Sequence, residues 1–293
     1  MTDLPHHPNL PIVVDDAVAT ITIDRPDARN SLTPEMIDTL FAAIPALDAA
    51  DDVAVIILTA VDPVFCAGLD LHALGSGAID IASNTAVGNQ WPVRRTPMVG
   101  AINGAAITGG LELALQCDFL VASERAKFGD THTRVGILPW WGLSHLLPRA
   151  VGFRTARMMS MTGNFLDAHA AQRAGLVAEV VPHDQLMDRA DQLARDVLSN
   201  DLAGVSAMLD LYQAIERSDP EAWRDVEREK GMAWQSEGFD HTEISRRLDE
   251  AREAHFNLRV QHASGALERT SELGARRKEI ARYLTIAHER ELA

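Results

Sequence analysis

Asn103-Gly-Ala-Ala-Ile-Thr-Gly-Gly-Leu-Glu-Leu113 follows the apolar run Met98-Val-Gly-Ala-Ile102 and opens a helix predicted over Gly109–Leu115. Glycines in such a turn let the main chain approach a ligand closely and present its N–H groups outward. The helix adds N-terminal N–H groups without internal partners, at the positive end of its dipole. A second glycine turn, Phe65-Cys-Ala-Gly-Leu-Asp-Leu71, comes soon after another apolar run, Val53-Ala-Val-Ile-Ile-Leu-Thr59. Two such N–H groups converging on one oxygen form an oxyanion hole, each donor supplying roughly 2.7–4 kcal/mol. Taken singly, either turn also fits an ordinary tight strand–helix connection.

Outward from these turns the chain alternates strand and helix. Val18-Ala-Thr-Ile-Thr-Ile-Asp24 alternates apolar and polar residues with β-branched ones, the signature of a strand. Asp24-Arg-Pro-Asp27 closes it as a turn. Thr33 before Pro34 reads as an N-cap with proline at the first helical position, and a helix is predicted on to Ala50. Val53–Thr59 is apolar throughout, as a parallel strand buried on both faces requires. Met98–Ile102 and Cys117–Val121 are predicted as further strands. The order implies an α/β domain with right-handed crossovers. Beyond it come a helix at Asp167–Ala174, a last strand at Val177–Val181, a helix at His183–Leu198, and only helices from Leu202 to Ala293. Gly75–Gly77 and its small neighbours read as a loop.

Composition narrows the classes. The chain has 293 residues, 46% hydrophobic and 24% charged, which excludes a disordered or fibrous protein. No stretch nears the ~18 consecutive apolar residues of a membrane helix. The first residues, MTDLPHHPNLP, lack the basic and apolar regions of a secretion signal. Two cysteines, Cys66 and Cys117, are too few for a disulfide scaffold, so a cytoplasmic location is expected. The net charge of −15 argues against nucleic acid as the main ligand. Residues 238–293 carry ten basic and ten acidic side chains, so the whole deficit lies in residues 1–237. There is no phosphate-loop, dinucleotide-binding, HExxH or nucleophile-elbow motif. The 11 histidines do not fall at metal-ligand spacing, and no metal is predicted.

Four segments occur in order: Ile21-Thr-Ile-Asp-Arg-Pro-Asp-Ala-Arg-Asn-Ser-Leu32, Phe65–Leu71, Asn103–Leu113 and Phe128-Gly-Asp-Thr-His-Thr-Arg-Val-Gly-Ile-Leu-Pro139. In these, residues 10–237 resemble the enoyl-CoA hydratase/isomerase (crotonase) family. The resemblance implies a crotonase-like spiral of ββα units with a helical C-terminal region, in an α/β fold. It implies a core over 1–200, a helical trimerisation segment over 201–238, and a homotrimer or dimer of trimers. The implied substrate is an acyl-CoA thioester, with no cofactor beyond the coenzyme A that it carries. Its carbonyl would be polarised by the amides of Leu69 and Gly109, stabilising a thioester enolate. Hydratases of the family use two glutamates. One maps onto Glu112, and the other onto a position occupied here by His132.

The implied reaction is hydration of trans-2-enoyl-CoA to 3-hydroxyacyl-CoA, as in fatty acid β-oxidation, with Glu112 and His132 as acid/base residues. The isomerase and thioester hydrolase reactions of the same fold are the alternatives. Asp130 and Arg134 flank His132, and either form a local salt bridge or, for Asp130, orient the imidazole. Positions matching the family's coenzyme A contacts are Arg29, Ser31, Leu32, Ala67, Asp70 and His72. Trp140 stands where relatives usually carry glycine, so it either reshapes the acyl pocket or packs on a neighbouring subunit. Cys66, beside the oxyanion turn, reads as a packed small hydrophobe.

The C-terminal part has a second resemblance. Glu253-Ala-His-Phe-Asn-Leu-Arg-Val-Gln-His-Ala-Ser-Gly-Ala-Leu267 and Arg277–Leu292 are spaced for two helices joined near Ser264-Gly265. Residues 239–293 resemble large ribosomal subunit protein family twenty-nine, a helical hairpin that binds ribosomal RNA. Two readings stand: a fused hairpin with ribosomal RNA contact, or terminal helices serving the crotonase-like body. The first makes the chain a ribosome- or RNA-associated binding protein.

Overall fold

Val55–Ala60 sorts its side chains strictly by parity. Ile56 and Leu58 enter one core cluster, and Val55 and Ile57 enter another. A strand's side chains alternate between faces, so this strand lies in a sheet covered on both sides. The structure is a computed structural model that describes residues 4–70, 73, 91–136, 138–139, 141–217, 249–258, 274–278 and 280–281. The chain divides into two compact units, Met1–Ala214 and Ile215–Ala293. That division falls inside the 201–238 segment, and helix Leu202–Arg217 runs across it.

The first unit holds a six-stranded sheet: β1 (Ile12–Asp15), β2 (Val18–Ile23), β3 (Val55–Ala60), β4 (Met98–Ile102), β6 (Phe119–Ser123) and β9 (Glu179–Val181), in that order. β1 pairs antiparallel with β2, and every later pairing is parallel. α1 (Pro34–Asp48) packs Met36, Ile37, Leu40, Ile44 and Leu47 into the larger cluster. Its cap is the predicted one: Met36 N–H donates to Thr33 Oγ1 at 3.3 Å. The smaller cluster takes Leu186, Ala190 and Ala194 from the helix Leu186–Leu198.

A second sheet of three strands carries the catalytic candidates. β5 (Ala105–Ile107) pairs parallel with β7 (Lys127–Gly129), and β8 (Phe165–Asp167) pairs antiparallel with β7. Ile107 stands opposite Gly129, so the segments that follow the two strands leave the sheet side by side. One continues into α2 (Gly109–Leu115), and the other into the short α3 (His132–Val135).

Several boundaries differ from the sequence expectations. Cys117 lies in the bend after α2 and not in a strand, because β6 begins only at Phe119. Asp118 is held back by its carboxylate, which bridges Arg94 and the Met98 amide. The last strand starts at Glu179 rather than Val177, and residues 183–185 form a 3-10 turn before their helix. Leu143–Thr162 is a helical stretch with no predicted counterpart, broken at Gly152 (φ 75°, ψ 152°). Gly75–Gly77, His72 and Trp140 lie outside the described residues. In the second unit, the described residues 249–258 and 274–278 are helical, and most of the expected hairpin lies outside them. Among the described residues, no helix is long and apolar enough to cross a membrane, and no cluster of His, Cys, Asp and Glu is arranged to hold a metal ion.

Candidate active site

The second glycine turn is clamped from two sides. Cys66 pairs with β5: its N–H donates to the Ala105 carbonyl at 3.1 Å, and Ile107 N–H donates to the Cys66 carbonyl at 2.9 Å. Leu32 N–H donates to the Gly68 carbonyl at 2.8 Å, and Asp70 N–H donates to the Leu32 carbonyl at 2.9 Å. Gly68 sits at φ 95°, in the left-handed region that favours glycine. A β-carbon on Gly109 would lie 3.2 Å from Gly68 Cα and 3.5 Å from the Leu69 nitrogen. The two predicted amides are therefore neighbours. Gly109 is the first residue of α2, where an N–H has no intrahelical partner. Among the described residues, the Leu69 amide donates no hydrogen bond.

Thr108 turns the chain into α2 at φ 55° and ψ −111°, a strained conformation for a β-branched residue. The surroundings hold it there. Its N–H donates to the Gly129 carbonyl at 2.9 Å, and its hydroxyl meets that of Thr131 at 2.6 Å. Thr131 N–H donates to the same hydroxyl at 3.2 Å. This pair ties the turn before α2 to the segment carrying Asp130 and His132.

Glu112 lies in the first turn of α2 and is 3% exposed. Its Oε1 accepts the Trp141 main-chain N–H at 2.7 Å, and its Oε2 lies 3.5 Å from His132 Nε2. On the far side of the ring, His132 Nδ1 lies 2.7 Å from Asp130 Oδ1. The same oxygen accepts the His132 main-chain N–H at 3.1 Å. Burial alone disfavours the imidazolium, but the hydrogen bonds and charges of Asp130 and Glu112 outweigh it and raise His132 to about 9. Burial likewise works against the Asp130 carboxylate, yet hydrogen bonds from His132 and Ser160 hold it below the usual range. At neutral pH the imidazole is a cation between two carboxyl groups.

The remaining predicted positions divide. Arg29 is exposed in the left-handed region, and its carbonyl accepts the Ala67 N–H at 3.1 Å, so these two meet at the mouth of the turn. Ser31 and Asp70 face inward. Arg25 donates to Ser31 Oγ at 3.0 Å and to Asp70 Oδ2 at 2.7 Å. Leu32 is fully buried and braces the turn, its amide donating to Gly68 and its carbonyl accepting from Asp70. Of the alternatives for the residues flanking His132, Asp130 touches the imidazole, whereas Arg134 is exposed and forms no ion pair among the described residues. Burial pushes the Cys66 thiol up to about 12, which leaves no thiolate for nucleophilic attack.

Sequence reasoning missed Trp141, whose amide fixes Glu112 and whose carbonyl accepts from Gln116 Nε2 at 2.6 Å. Its indole packs with Phe41 at 6.0 Å between ring centroids, and Phe41 meets Trp91 edge-on at 5.2 Å. A main-chain contact 29 residues away leaves no residue-type signal. The Thr108–Thr131 link was equally silent.

Comparison with known proteins returns one family throughout this region. The family model described as enoyl-CoA hydratase/isomerase matches residues 14–257. A second, described as ribosomal L29 protein, matches residues 237–290. The chain is 42% identical to a probable peroxisomal enoyl-CoA hydratase of Arabidopsis thaliana, over 63% of this chain and 70% of that protein. Among solved structures, an enoyl-CoA hydratase from Mycobacterium smegmatis is 46% identical with a TM-score of 0.67, covering 78% of this chain and 98% of that one. An enoyl-CoA hydratase from Mycobacterium tuberculosis H37Rv is 48% identical with a TM-score of 0.67 over the same shares.

Proposed function

Because this chain belongs to the enoyl-CoA hydratase/isomerase family, we propose that its site adds water to a trans-2-enoyl-CoA and yields the 3-hydroxyacyl-CoA. The observation that carries this is the buried Glu112–His132 pair, 3.5 Å apart, on the helix that Gly109 opens. The thioester oxygen sits on the Leu69 and Gly109 amides. Glu112 takes a proton from water as the water oxygen bonds to Cβ. The double-bond electrons move into a thioester enolate, whose negative oxygen the two amides stabilise most strongly. The enolate takes a proton at Cα from Nε2 of His132. The proton on Glu112 then passes across to His132, and the site is reset. Coenzyme A enters and leaves as part of substrate and product, so no separate cofactor takes part. Arg29 and Ala67 flank the route by which its nucleotide end arrives.

The working assembly is a homotrimer or a dimer of trimers. The exposed Phe153, Met158 and Met161 on Leu143–Thr162 give such an assembly apolar surface to bury.

Crotonyl-CoA is the test substrate. The expected product is heavier by one water, and Glu112→Gln slows its formation by roughly 10²–10⁴. A product of unchanged mass with a shifted double bond would make the enzyme an isomerase. Free coenzyme A would make it a thioester hydrolase.

A further inference from the structure

Asp130 has no part in the proton inventory above, yet it is among the most deeply buried carboxylates of the first unit, 2% exposed. An ionised carboxylate is costly to bury unless it is paired and hydrogen-bonded. Its Oδ1 bonds twice to one residue, to the ring nitrogen and the main-chain N–H of His132. The segment Asp130-Thr131-His132 is pinned as well, since Thr131 bonds twice to Thr108. Ring and carboxylate therefore have one mutual geometry.

We propose that Asp130 is a positioning residue that holds the Nδ1 proton of His132 permanently, so that Nε2, facing Glu112, is the one atom of the ring that exchanges protons with the substrate. This rests on the hydration reading above and names what makes a histidine serviceable there. A neutral imidazole carries a single N–H, and the hydrogen bond on one nitrogen decides which. Without Asp130, the neutral ring is free to place its proton on Nε2 against Glu112. Nε2 then has no lone pair to receive the proton that Glu112 must return. With Asp130, the neutral form has Nδ1–H and a free Nε2, and the cationic form has both protons. Charge balances too. Glu112, His132 and Asp130 together hold one mobile proton at a net charge of −1, as two carboxyl groups sharing a proton do. The charged groups acting on the ring are Glu112 from α2 and Asp130 from its own approach segment. Among the described residues, the neighbouring helix Leu143–Thr162 contributes only the uncharged Ser160, through Asp130.

The test is 15N NMR of histidine-labelled full-length protein across pH 6–11, with the His132 signals assigned by their loss in His132→Gln. In the wild type, Nδ1 is expected to stay protonated throughout, while Nε2 loses its proton near pH 9. Asp130→Asn keeps the size and one acceptor but removes the charge. It is expected to move that titration down by one pH unit or more. On crotonyl-CoA it should lower kcat roughly 10- to 100-fold, the usual cost of losing an orienting partner. KM should stay within roughly twofold, and the alkaline limb of kcat should follow the NMR titration. A wild-type ring with Nε2–H as its neutral form would overturn the proposal, and that reading needs no variant. An Asp130→Asn protein with the wild-type titration and kcat profile would overturn it too. If the wild type hydrates nothing, the reaction fails, but the tautomer measurement still decides the role of Asp130.

Discussion

A β-carbon on Gly68 would stand 3.0 Å from the amide nitrogen of Gly109. It would also stand 3.1 Å from the Ile107 carbonyl oxygen, and both neighbours are main chain. The closeness of the two amides thus depends on a missing methyl group. Gly68→Ala adds that methyl at φ 95°, where an alanine is strained as well. The expected cost is roughly 1–3 kcal/mol of folding stability. A displaced Leu69 amide should also cost on the order of 100-fold in kcat. Urea unfolding and crotonyl-CoA turnover measure the two. Loss of stability with unchanged kcat would place the oxyanion donors elsewhere.

Glu112→Gln separates proton transfer from architecture. Glutamine keeps an oxygen for the Trp141 N–H, which Glu112 now accepts at 2.7 Å. Its amide takes no proton from water. The expected outcome is a kcat lower by roughly 10²–10⁴ with KM nearly unchanged. A variant within threefold of wild type would remove Glu112 from the chemistry.

His132→Glu restores a second glutamate but sets three carboxyl groups in one buried cluster. Glutamate at 132 faces Asp130 as well as Glu112, and the cation that now separates them is gone. The single variant is expected to lose about 3 kcal/mol at neutral pH, as an unpaired buried charge does. Adding Asp130→Asn should recover most of that loss and more activity than the single variant shows. Urea unfolding of the two proteins checks it. Equal stability would mean that Asp130 is not charged beside position 132.

How much of this was legible in the sequence depended on element length. β3 and α2 declared themselves, one by an unbroken apolar run and the other by two glycines and the residues that follow. β5 and β7 did not. Ala105–Ile107 and Lys127–Gly129 have three residues each, too few to show a period. Yet their pairing is what brings Glu112 to His132. The motif positions Leu69, Gly109, Glu112 and His132 were therefore identifiable, while the contacts joining them were not. Thr108 to Thr131 and Trp141 to Glu112 are long-range bonds that residue types do not announce. At Leu32 the motif names the position but not its structural part, which is to fill the core and bond to Gly68 and Asp70.

The buried ion cluster links stability to pH. His132 is raised from 6.5 to about 9, so its stabilising contribution is complete below pH 6.5 and is lost as pH climbs through 9. Asp130 is lowered from 3.8, so its contribution is present above that pH and is lost in stronger acid. The unfolding free energy of wild type relative to His132→Gln should therefore be largest between about pH 4 and 6.5, and shrink toward pH 9. A difference that does not change with pH would mean that the ring titrates in the folded protein as it does in the unfolded chain.

Isotope-edited infrared spectroscopy of bound butyryl-CoA, labelled with 13C at the thioester carbonyl, tests the polarisation step most directly. The saturated acyl chain binds without reacting. If the Leu69 and Gly109 amides hold the carbonyl, its stretch moves to lower frequency than in water, and Gly68→Ala moves it back. A stretch at its aqueous position in the wild type, with the thioester demonstrably bound, would contradict the site described here.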